Sequence, residues 1–81
     1  MITAKEARYR VENSKMIKEI ENRIETSVMA AIEHEEFKTI VIADRKIGED
    51  GLDIIINNLI KLGYYYSVIA DSMEYDITIE W

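Results

Sequence analysis

The chain contains no cysteine and no proline, and among its 81 residues there are only three glycines, one histidine and one tryptophan. Without cysteine there can be no disulfide and no thiolate metal site, and a reducing compartment fits that usage. A single histidine leaves no second imidazole for a base–nucleophile relay, so acyl-transfer chemistry has little to work with. No apolar run approaches the roughly 20 residues that span a bilayer. The opening Met1-Ile2-Thr3-Ala4-Lys5-Glu6 lacks the apolar stretch of a signal peptide, so the expectation is a cytoplasmic protein without a membrane partner. Bases are also scarce, with ten Lys and Arg against sixteen Asp and Glu, for a net charge of −6.

That charge is uneven. Residues 1–23 carry six bases and four acids, whereas residues 24–81 carry four bases and twelve acids. A body this acidic repels phosphate backbones, which disfavours nucleic acid as a partner except through the N-terminal segment. The plain reading is a solvated acidic surface. A sharper one is an acidic mimic of nucleic acid that occupies a basic protein.

The length allows one domain spanning 1–81 with one core. A domain of this size buries only about 60% of the surface its unfolded chain exposes, and oligomerisation is a common remedy where disulfides are absent. Thr3-Ala4-Lys5-Glu6 matches a capping box, in which a hydroxyl and a carboxylate satisfy free amides at a helix start. Nothing breaks a helix from there to about Glu36. Ile17, Ile20, Ile24, Val28, Ala31 and Ile32 recur at spacings of three and four and mark its core stripe. Upstream the stripe thins to Ala4, Ala7 and Val11, with Asn13-Ser14 its weakest point. Phe37–Ala43 is a β-branched apolar run and reads as a strand, followed by a loop over Asp44–Gly51. A second helix follows, with Glu49, Asp50 and Asp53 at its start and Leu52, Ile55, Ile56, Leu59 and Leu62 as its buried stripe, ending at Gly63. Tyr64–Ala70 and Tyr75–Trp81 read as two more strands around a turn at Asp71–Glu74. In the last of them Tyr75, Ile77, Ile79 and Trp81 point inward.

The expected fold is therefore α/β in the two-layer α+β sense, in the order α-β-α-β-β. Two helices, the first of them long, cover one face of a three-stranded mixed sheet. The first two strands run parallel through a crossover and the third returns as a hairpin. The third strand sits either outside the second or between the first two. Two features call for cover. A continuous first helix of about 33 residues is roughly 50 Å long, against about 30 Å for a compact domain of this size. Residues 1–13 must bend back, fray or project as an arm, and Ala4, Ala7, Tyr9 and Val11 suit contact with a neighbouring helix. The sheet has apolar residues on both faces and the helices cover only one, which leaves Tyr65 and Ile69 as contact anchors on the other. Both features point to a homo-oligomer.

Sites for chemistry are few. Glu33-His34-Glu35-Glu36 offers metal-ligand types, but consecutive helix residues diverge, so no metal or other cofactor is expected. Gly48-Glu49-Asp50-Gly51 has acids where a phosphate loop has lysine and hydroxyl, and the calcium-loop spacing is missing. One constellation remains. The carboxyl ends of two parallel strands and the start of the crossover helix share an edge where α/β sheets bind ligands, and there fall Asp44, Arg45, Lys46 and Asp71, with Asp50 near.

The opening ITAKEAR, the segment KLGYYYSV and the closing YDITIEW together resemble small, poorly characterised proteins of bacterial viruses. The resemblance implies a phage or prophage origin, a place in the host cytoplasm, and no catalytic residues to carry over. The expectation is a non-enzymatic accessory protein that binds a host or viral protein. The alternatives are a structural component of the virion, and a protein that sequesters a small polar or nucleotide-like ligand.

Overall fold

Thr3 accepts a hydrogen bond from the Glu6 amide at 3.1 Å, and from that cap a single helix, α1, runs unbroken over Ala4–Glu33. The computed structural model describes residues 1–81. It continues with β1 (Lys38–Asp44), a 3-10 turn (Arg45–Ile47), α2 (Gly48–Lys61), β2 (Tyr65–Ala70) and β3 (Glu74–Glu80). The α-β-α-β-β order and the long first helix match the sequence pattern. No helix is long and apolar enough to cross a membrane.

The sheet order is β1-β3-β2, with β3 antiparallel to both neighbours. The expected mixed sheet is thus corrected to an antiparallel one. β1 and β2 do point the same way, but β3 stands between them, so no parallel pair forms. Composition explains the insertion. Tyr75, Ile77 and Ile79 are the most regular apolar alternation in the chain, and a central strand buries such a row from both sides; they are 4%, 0% and 0% exposed. The inward row of β2 (Tyr66, Val68, Ala70) is larger at one end and small at the other, and it tolerates the edge.

The core joins this row to Ile17, Ile20, Ile24 and Val28 of α1, Val41 and Ala43 of β1, Ile47, and Ile55 and Leu59 of α2. Gly51 lies inside α2 rather than before it and is buried, so close to Ile47 that a Cβ there would come within 2.9 Å of the Ile47 Cβ. It lets the 3-10 turn tuck under the helix start. Two residues that the spacing assigns to core stripes are instead exposed, Ile32 at 56% and Leu62 at 75%. Both lie near the C-terminal ends of their helices, beyond the reach of the partner layer. Phe37 likewise lies outside β1 and is exposed.

The first helix resolves its size problem by projecting. Residues 4–12 are exposed throughout, and the molecule measures 49 × 23 × 18 Å with a radius of gyration of 13.9 Å. A compact chain of this length would have about 12 Å.

The helix also stops three residues early. Glu35 adopts φ 58°, and the Glu36 amide donates back to the Ala31 carbonyl at 2.9 Å, a Schellman-type exit in which glycine usually holds the left-handed position. Glutamate carries a steric cost there, and its charge sits at the negative end of the helix dipole. Glu35→Gly is expected to stabilise the fold by about 0.5–1 kcal/mol, a rise of a few degrees in Tm by thermal denaturation. An unchanged or lower Tm would mean that this exit is not under strain.

Candidate functional site

The strand-end edge is a built structure. Asp44 accepts from the Lys46 amide at 2.8 Å and so caps the 3-10 turn. Asp71 accepts from the Met73 and Glu74 amides at 2.8 and 2.9 Å, closing the β2–β3 hairpin. The Arg45 guanidinium donates to the Asp71 carbonyl and lies 5.0 Å from the centre of the Tyr75 ring. Asp44, Arg45 and Asp71, expected from the sequence to share an edge, are brought together by the fold. One oxygen of each carboxylate, Oδ1, makes the turn bonds, and Arg45 gives one guanidinium nitrogen to the Asp71 carbonyl; the Oδ2 atoms of Asp44 and Asp71 take no protein hydrogen bond. Lys46 is exposed beside them, with its backbone amide engaged by Asp44. Asp50 is elsewhere: it sits in the first turn of α2 and lines a shallow recess against Tyr9, Arg10 and Asn13 of α1.

The two backbone amides, then Arg45, hold the Asp71 carboxyl below its usual value of 3.8. A depressed carboxyl contributes stability above its unfolded pKa and loses it as pH falls through the folded value. Asp71→Ala is therefore expected to lower Tm at neutral pH. The gap to wild type should stay constant down to about pH 4 and narrow below 3.8. A gap that does not depend on pH would show that the carboxylate charge plays no part in the turn.

The outer face of the sheet has no such closure. Antiparallel register sets its outward side chains in rows: Lys38, Glu80 and Tyr65; Ile40, Thr78 and Ser67; Ile42, Asp76 and Ile69; then Asp44 beside Glu74. Side chains directly opposite one another lie about 4.5–5.5 Å apart at Cβ. Ile40, Ile42, Tyr65 and Ile69 are 58%, 47%, 74% and 69% exposed, with no helix above them. Asp76 stands between Ile42 and Ile69, and one of its carboxylate oxygens is out of solvent without a hydrogen-bond donor. Alternation alone marks Tyr65 and Ile69 as anchors. It does not mark Asp76, which it places only as facing water. The significance of Asp76 comes from the two isoleucines that the register places on either side.

The other residues that the sequence offers as contacts, Ala4, Ala7, Tyr9 and Val11, lie exposed on the projecting part of α1. No group of three or more metal-ligating side chains assembles. No family model matches the chain, and no curated protein or solved structure matches it either.

Proposed function

We propose that the protein is a binding module that works without turnover and presents the outer face of its sheet to another protein. The observation that carries this reading is the Asp76 carboxylate, desolvated on one oxygen and unpaired, between the exposed Ile42 and Ile69 on a face that also exposes Ile40 and Tyr65. An acceptor left this way costs about 1–3 kcal/mol, and a basic group on a partner would stabilise the same carboxylate through its other oxygen. Around it the face carries Asp44, Glu74 and Glu80 against Lys38 alone. The matching surface is therefore aliphatic around at least one arginine or lysine. A second copy of the same face would oppose acid to acid, so the partner is a different protein. A phage-type origin, with a host or viral protein as target, is part of the same proposal and rests on the ITAKEAR, KLGYYYSV and YDITIEW segments.

The test is a photo-crosslinking residue at position 65, used in bacterial cells that express the full chain. One cellular protein should crosslink. Ile42→Lys with Ile69→Lys should reduce its recovery at least tenfold, equivalent to about 1.4 kcal/mol. Asp76→Asn should weaken it less, and more so at low than at high salt. A crosslinking pattern that these substitutions leave unchanged would overturn the reading.

A further inference from the structure

Two uncovered features of α1 lie at its opposite ends and match one another. At the N-terminal end the projecting arm carries Ala4, Ala7 and Val11 along one side, together with the exposed bases Lys5, Arg8 and Arg10. At the C-terminal end α1 and α2 border a groove of about 540 Å³. Ile55 and Leu59 form its floor, Met29, Ile32 and Leu62 its exposed rim, and Glu25 its charged edge. Nothing in the chain's own fold covers either feature.

We propose that two copies of the chain pair about a two-fold axis, the arm of each lying antiparallel along α1 of the other and filling its groove. Three observations support this occupant. First, at 3.6 residues per turn Ala7, Val11, Met29 and Ile32 fall within about 60° of one another around the helix, so one side of α1 presents both the arm's apolar line and the groove's rim. Second, the lengths agree: the groove follows α1 from Glu21 to Ile32, roughly 16 Å, and residues 4–13 make a helix of about 15 Å. Third, the charges are complementary. Lys5, Arg8 and Arg10 outnumber Glu6 and Glu12 on the arm, and they meet a groove edged by Glu21 and Glu25 and a helix exit of Glu33, Glu35 and Glu36, which has no base in its last turn.

A single register satisfies all three. With Ala7 against Met29, Ala4 falls against Ile32 and Val11 against the stem of Glu25. Lys18 meets its own copy at the axis, an exposed pair beside the carboxylates at 21. The two-fold repeats every contact, so each substitution counts twice. This interface shares no residue with the outer face of the sheet, which remains free in the pair.

The absence of cysteine makes the register directly testable. Positions 7 and 29 of one chain lie on a single helix roughly 33 Å apart, far beyond the ~7 Å Cα separation a disulfide tolerates. The full chain carrying Ala7→Cys and Met29→Cys should, on mild oxidation, convert to a covalent species of twice 9.5 kDa. Peptide mapping should find 7–29 links, and either single substitution should give none. Predominant 7–7 or 29–29 links, or no covalent dimer, would overturn the proposal. Sedimentation of the unmodified chain at micromolar concentration should give the dimer mass. Val11→Glu and Met29→Glu, both at exposed positions, should each raise the dissociation constant at least tenfold with unchanged circular dichroism. Ile69→Lys should leave it unaltered. A wild type that sediments at 9.5 kDa, or a dimer dissolved by Ile69→Lys instead, would equally refute it.

Discussion

The burial of Ile77 and Ile79 in the middle of the sheet is the contact on which the rest of the structure depends. Each reaches complete burial only because β3 has a strand on both sides and helices above it. Removing a buried isoleucine side chain from such a site typically costs about 2–5 kcal/mol, a large part of the stability available to a domain this small. Placing β3 centrally has consequences at both ends. It closes the β2–β3 hairpin next to the end of β1, where Asp71 and Arg45 tie the turn to the 3-10 segment. It also fixes which side chains share each outward row, and so sets Asp76 between two isoleucines. The core and the candidate interface are two faces of one register: a one-residue slip would bury Asp76 and expose Ile77.

Much of this is legible in the sequence. Periodicity of three and four locates both helices, period two locates the strands, and Thr3 with Glu6 locates the first cap. What is not legible is non-local. Strand order depends on which apolar row gains most from a central position, a comparison between strands rather than a property of any one. Ile32 and Leu62 carry the helical spacing of core residues, yet the partner layer ends before it reaches them. Their spacing records that they belong to an apolar stripe; only the relative lengths of the layers decide whether that stripe is covered. Asp44 and Asp71 are the converse. Their proximity follows from topology, but residue spacing alone cannot tell a ligand edge from a pair of turn caps. The hydrogen bonds from the amides of residues 46, 73 and 74 show that one oxygen of each carboxylate holds a turn.

The charge on α1 has no explanation within the chain. A helix favours acids at its N-terminus and bases at its C-terminus, each worth about 0.3–1 kcal/mol near the surface. Glu6, in the first turn, obeys the rule and also pairs with Arg10 at 3.2 Å. Most of the rest runs against it. Lys5, Arg8 and Arg10 crowd the positive end, and Glu33, Glu35 and Glu36 the negative end. Exposed pairs within one helix offset little of this, since such contacts contribute roughly 0.3–0.5 kcal/mol. An arrangement unfavourable to an isolated helix becomes favourable when an antiparallel neighbour of the same sequence brings basic end to acidic end. The dipoles then oppose, and the basic end of each helix lies beside the acidic end of the other. The sheet face lacks this self-complementarity, because its acids would meet acids. Charge thus divides the surface by partner: the helix side is complementary to itself, and the sheet side to something basic. On one small body, that division would let the proposed self-assembly and the proposed recognition of a second protein proceed without competing for the same residues.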